Sequence, residues 1–176
     1  MDIQTENTMH DSKLMELFIN ELKEIYCAEL ALVESMPMMF SKASSKELKE
    51  TVEIHFAETK IQVQSLEKVF VLIGMEPKTK KCEAMVGLLN EAESIMRETE
   101  KGAMRDAGII SAAQKVEHYE IACYGILRSF ANTMGLTEAA SIFHEILEQE
   151  KETDEKLTLI AESTINSLAA SEKKVA

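Results

Sequence analysis

Signals that end a helix are scarce in this chain, and where they fall divides it almost entirely into long rods. Only two prolines and six glycines occur in 176 residues. No stretch alternates polar and apolar residues with the period of two that a half-buried strand requires. The first helical segment runs from about Asp11 to Ala43, with Pro37 as a candidate kink. Ser44-Ser45-Lys46-Glu47 has the form of a capping box, which restarts a helix by satisfying its first N–H groups. That second helix reaches Gly74, where glycine followed by Pro77 makes a stop. A shorter stretch spans about Cys82 to Thr99, and Gly102 and Gly108 loosen the start of the third long segment, about Ala103 to Met134. Gly135 ends that segment, Thr137 can cap the next, and the fourth long helix runs to about Leu168.

The connections constrain how these rods pair. Tight turns near Ser44 and at Gly135 make two antiparallel helix hairpins. Between the hairpins, Met75 to Gly102 is long enough to travel back along a bundle. An all-α, four-helix bundle with one long crossover carrying a short extra helix is the ferritin-like topology. One domain, residues 11–170, is expected, with flexible ends at 1–10 and 171–176.

Composition excludes several alternatives. An apolar fraction of 45% is enough for a full core, which argues against disorder despite a net charge of −12. That charge speaks against nucleic acid or an anionic membrane as partner, and the last residues hold only Lys173 and Lys174 as a counterweight. Three cysteines, Cys27, Cys82 and Cys123, are odd in number and lack C-x-x-C spacing, as in a reducing compartment. The polar start, Met1 to Asn7, is no secretory signal, and no run of about eighteen apolar residues spans a bilayer. A cytoplasmic protein is the expectation.

Each long helix carries a heptad-like stripe that should face the bundle interior. The first reads Phe18, Leu22, Ile25, Glu29, Leu32, Met36, and the second Leu48, Val52, His55, Thr59, Gln62, Leu66, Val69, Ile73. The third reads Ile110, Ala113, Glu117, Glu120, Tyr124, Leu127, Ala131, Met134, and the fourth Phe143, Leu147, Glu150, Asp154, Leu157, Ala161. Glu58 borders the second stripe, flanked by Ile54 and Ile61 on its own face. Carboxylates therefore interrupt every long helix near its middle. Glu29 and Glu58 lie at nearly equal distances from the Ser44 turn, and Glu117/Glu120 and Glu150/Asp154 at similar distances from Gly135. At a rise of 1.5 Å per residue each set sits roughly 20–25 Å from its turn, so both hairpins place their acids in one central layer.

Ionised carboxylates inside a bundle repel one another and lose hydration, at several kcal/mol per ion unless compensated. No Lys or Arg lies in the stripes, and a cation is the obvious compensation. Hard oxygen ligands, with one imidazole, suit iron or manganese, and two metals bridged by carboxylates need four to six acids. Any one Glu on a stripe is more often a snorkelling or edge residue; coincidence across four helices at one height carries the metal reading. His55, one turn before Glu58, is either a ligand, a partner to a ligand, or a hydrogen-bonded core histidine. His118 points off its stripe and is read as surface, while His10 and His144 are read as structural. Tyr26, Tyr119 and Tyr124 lie within a turn of the acids, where hydrogen bonding and plain aromatic packing are both available. Cys27 and Cys123 read as small hydrophobes and the eleven methionines as core filler. Phosphate-binding glycine loops, G-x-S-x-G and H-E-x-x-H are all missing from the sequence.

The stretches Glu24-Ile25-Tyr26-Cys27-Ala28-Glu29, His55-Phe56-Ala57-Glu58-Thr59, Ala113 to Ala122 with its Lys-Val-Glu-His-Tyr-Glu core, and Glu150 to Leu157 resemble the bacterial YciF/YciE-type stress proteins. The likeness runs from about Ser12 to Ala170. It implies a ferritin-like, rubrerythrin-like bundle, a homodimer, and a di-iron centre. Carried over by residue, Glu29 matches the single acid of the first helix, Glu58 and Glu150 the bridging acids, and Glu117 and Glu120 the paired acids of the third. The chain departs from the Glu-x-x-His pattern of di-iron bundles, having Ile61 and Thr153 where imidazoles would stand. Asp154 and His55, each one turn from a bridging acid, are the substitutes. The implied function is a stress protein that oxidises Fe(II) or reduces peroxide or dioxygen. The alternative is a structural or interaction protein whose acid layer binds metal only for stability, or not at all. A cage-forming iron store is a further option, though no shell interface stands out. The −12 charge disfavours DNA protection.

Overall fold

The computed structural model describes residues 12–173. The proposed flexible N-terminus, His10, Asp11 and residues 174–176 lie outside the described residues. Four long helices form the bundle: α1 (Lys13–Lys42), α2 (Lys46–Leu72), α4 (Ala103–Thr133) and α5 (Thr137–Ile160), with α3 (Glu83–Glu98) in the crossover. No strand occurs among the described residues. Helix α1 packs on α2, α4 on α5, α2 on α5 and α1 on α4, which leaves α1 opposite α5 and α2 opposite α4 on the diagonals. The fold is all-α and ferritin-like. Helix α3 lies against α4 and α1. The crossover is also tied to α1 by Lys80 N–H, which donates to the Lys23 carbonyl at 3.1 Å.

The helix ends show which stop signals act. Gly74 (φ 70°) and Gly135 (φ 71°) take the left-handed conformation that favours glycine. At each, the two closing bonds of a Schellman motif form: Gly74 N–H to Val71 O with Met75 N–H to Phe70 O, and Gly135 N–H to Asn132 O with Leu136 N–H to Ala131 O. The Ser44 capping box is not realised. Ser45 is the cap instead, its hydroxyl accepting from Leu48 N–H at 3.3 Å. The reason lies far away in sequence: the buried Asp106 carboxylate accepts both Ser44 N–H and Ser45 N–H at 2.7 Å, which holds the turn one residue on. Thr137 is likewise not a cap but the first helical residue after Leu136. Pro37 sits within a continuous α1.

Gly108 does not loosen α4. A side chain there would strike Ile95 of α3, so its hydrogen is what lets the crossover helix approach. The fourth long rod extends beyond Leu168 and contains a π-helical turn, Ala161–Ile165, before α6 (Asn166–Ser171). After α6 the Glu172 carboxylate accepts from Ala103 and Met104 N–H, closing the otherwise uncapped start of α4.

Candidate metal centre

Every expected stripe residue of α1, α2 and α4 is buried, as is that of α5 except Asp154. In α5 the inward position after Glu150 is Thr153, and Asp154 is only half-buried. Three and four residues on from Glu150 lie on either side of the same seam, and packing against α2 and α4 selects the smaller side chain.

Four helices thus bring Glu29 (α1), His55 (α2), Glu117 and Glu120 (α4) and Glu150 (α5) into the dry interior. His55, Glu117, Glu120 and Glu150 each offer a ligand atom, and these atoms all lie within 4.8 Å of one another. His55 Nε2 is 3.4 Å from Glu117 Oε1, and its Nδ1 is 3.9 Å from Glu150 Oε2. Glu29 is the next member outward. It accepts a hydrogen bond from the Tyr124 hydroxyl and lies beside Glu120. Gln62 Nε2 donates to Glu150 Oε1 at 2.6 Å and to Gln149 Oε1 at 3.1 Å, fixing one oxygen of Glu150.

Glu58 stays half-buried at the edge, between the cluster and the Glu152 and Lys156 side chains of α5. Asp154 is turned toward Gln114, which donates to it at 3.1 Å, and toward the exposed His118 at 3.4 Å. His144 is exposed beside Arg128 and Glu148. Of the three tyrosines, Tyr124 reaches the acids, whereas Tyr26 donates to Glu67 and Tyr119 pairs with the Cys82 thiol at 3.0 Å. Cys27 and Cys123 are half-buried free thiols.

The electrostatics follow from burial without enough partners. Glu29 Oε2, both nitrogens of His55, Glu117 Oε2, both oxygens of Glu120 and Glu150 Oε2 are buried with no hydrogen-bond partner. A buried polar atom left so costs on the order of 1–3 kcal/mol, more when charged. The acids respond by holding protons. Burial pushes Glu29 up to about 7 against the lowering effect of the Tyr124 hydroxyl. Burial pushes Glu117 up to about 8, its pairing with Glu150 opposing and the charges of Glu29, Asp154 and Glu58 reinforcing. Glu120 and Glu150 are raised well above the usual carboxylate range by burial and by their acidic neighbours. Burial, helped by Lys156, lowers His55 to about 4, so its ring is neutral and both nitrogens keep lone-pair character in turn. Clustered oxygen donors and a neutral imidazole with unused lone pairs form a donor set fitted to a hard or borderline cation.

Of the hydrogen-bonding readings for the tyrosines, that for Tyr124 holds, whereas Gln62 and Thr153 are not singled out by spacing. Gln62 is marked only by its place in the second helix's stripe, and Thr153 lies off the stripe as read through Asp154. The class defined by this fold and site is a ferritin-like bundle with a buried carboxylate–histidine cluster able to hold a metal ion. Residues 13–170 match the family described as a domain of unknown function, DUF892, and the chain belongs to that family. It is 38% identical over 162 residues to protein YciF of Escherichia coli K12, covering 92% of this chain and 98% of that one. The crystal structure of the E. coli stress protein YciF superposes with a TM-score of 0.84, covering 88% of this chain and 98% of its own. YcfI of Rhodopseudomonas palustris, 33% identical, superposes with a TM-score of 0.82, covering 84% of this chain and 94% of that one. The chain is YciF-like by family. No helix among the described residues is long and apolar enough to cross a membrane.

Proposed function

We propose that this protein is a metal-binding stress protein that holds two iron ions, or manganese in their place, in the centre of its bundle. The observation that carries the reading is the set of unpartnered buried donor atoms on His55, Glu29, Glu117, Glu120 and Glu150. His55, Glu117, Glu120 and Glu150, with Glu29 beside them, would hold the ions; Glu58 would add a carboxylate from the rim, and Asp154 could do so only by leaving Gln114 and His118. Bound iron supplies one-electron exchange with Fe(II) oxidation or with reduction of dioxygen or peroxide. This chain's residues fix the donors, keep the site dry, and hold protons on the carboxylates when no cation is bound. Tyr124 orients Glu29, and Gln62 orients Glu150.

Metal analysis of protein purified without chelator, then anaerobic Fe(II) loading and exposure to air or peroxide, tests the reading. About two ions per chain and oxidation above the buffer rate are expected. Substoichiometric metal and no acceleration refute it.

A second reading, a structural or interaction protein whose cluster takes metal for stability alone, draws on Ile61 and Thr153. They stand where imidazoles would, and Ile61 is 61% exposed. A melting shift on iron addition with no catalysed oxidation selects that reading. Either way a homodimer is proposed, with the exposed Ile54 and Ile61 of α2 and Leu159 of α5 as its apolar contact.

A further inference from the structure

An apolar chamber lies against the cluster on the side away from Glu29 and Tyr124. Met36, Met39, Val52, Val116 and Leu157 wall it from all four long helices, and His55 and Glu117 form its inner end. Half-buried Thr51 stands at its rim, its hydroxyl already donating to the Glu47 carbonyl at 3.0 Å. The chamber leaves about 20 Å³ for the centre of a water-sized sphere. That is room for a body of roughly one or two water volumes. Organic substrates of more than a few heavy atoms do not fit.

Chemistry narrows the occupant further. An ion entering here would lose its hydration to methyl and thioether walls, a heavy penalty. Water and peroxide need about 2–4 polar partners each; those in the chamber are confined to its inner end, on His55, Glu117 and the buried Thr153, and the Met36, Met39, Val52, Val116 and Leu157 walls offer none. A neutral apolar diatomic needs no partner and prefers such walls to water. We propose that this chamber is a dioxygen pocket, which delivers a small apolar gas rather than peroxide or an organic substrate to the His55–Glu117 end of the cluster. The role rests on the metal-site reading; the pocket itself does not.

The test uses dioxygen as its own probe. The full chain, chelator-treated and carrying ¹³C-methyl methionine, is placed under raised oxygen pressure, and paramagnetic relaxation of each methyl is measured. Met36 and Met39 should relax several-fold faster per unit of oxygen than Met15 and Met85, which are equally buried but lie elsewhere. Enhancement no greater than at those controls overturns the proposal. Val116→Phe fills the chamber, and should return Met36 and Met39 to the control rate while helical content is kept. If that variant does not fold, Val52→Leu applies the same test with less bulk. Persistence of the enhancement in either folded variant also overturns it. No metal enters the measurement, so its failure leaves the metal site standing, and absence of metal binding leaves the pocket standing.

Discussion

Binding of a divalent cation should expel protons, and its affinity should climb steeply with pH. With no cation, Glu29 titrates at about 7 and Glu117 at about 8, whereas both would titrate near 4.5 in the unfolded chain. The folded-state values are raised, so the stabilisation is complete below about pH 4.5 and is lost as pH rises through 7 and 8. His55 works the other way: lowered to about 4 from 6.5, it contributes stability above pH 6.5 that fades as pH falls toward 4. Above 6.5 the histidine drops out and the carboxylates act alone. The protons on Glu29 and Glu117 alone give a slope on the order of 1–3 kcal/mol per pH unit. Those on Glu120 and Glu150, which are raised further, add to it, so the metal-free protein should weaken toward pH 8, most steeply above about 6.5. A cation takes the place of those protons. Its apparent affinity should rise at least about tenfold per pH unit, and calorimetry in two buffers of different ionisation enthalpy should detect net proton release at pH 7. Denaturant unfolding across the same range, with and without Mn(II), gives the companion measurement. Zero proton release, together with a flat stability profile for the metal-free protein, would refute the reasoning.

Further outcomes bear on single residues. Glu120→Gln should split stability from binding: metal-free protein at pH 8 gains about 1 kcal/mol or more because folding no longer has to keep a proton on a buried carboxyl, while metal affinity falls at least tenfold; loss of both together would contradict this. Asp106→Ala removes the acceptor of two buried N–H groups and should cost about 2–4 kcal/mol in urea unfolding with metal content unchanged. A cost under ~0.5 kcal/mol would mean that Ser45 alone sets the turn. If the proposed dimer forms through α2, replacing Ile54 and Ile61 together by Glu should yield monomer in sedimentation with the helical signal intact. An unchanged sedimentation coefficient would place the interface elsewhere.

The fold could be read from local signals because its boundaries are local. Gly74 and Gly135 need the left-handed conformation wherever the helices pack, and the length of the crossover leaves few ways to arrange two hairpins. What escaped reading was decided at long range. Asp106 overrides the Ser44 capping box from sixty residues away, and no pattern near Ser44 announces it. Gly108 looks like a flaw in a helix until Ile95 of another helix is seen against it. The α5 register slips between Thr153 and Asp154 because 3.6 residues per turn leaves positions three and four on from Glu150 equally near the seam.

The acid layer itself was legible for an energetic reason. Helix propensity tolerates Glu anywhere, so a stripe position in mid-bundle is the costly place to keep one; α1, α4 and α5 keep buried glutamates there, and α2 adds His55. The structure refines the cost. Glu29, Glu117, Glu120 and Glu150 survive in the interior by retaining protons, while Glu58 and Asp154 at the edge find water, Lys156, Gln114 or His118. Protons satisfy charge but not geometry: Glu120 still leaves both oxygens, and His55 both nitrogens, without a partner. A core selected only for stability would replace these side chains with Leu or Met at little loss and often a gain. Their persistence at one level, with neutral imidazole between carboxyl groups, is what a site looks like when protons and a cation compete for the same donors.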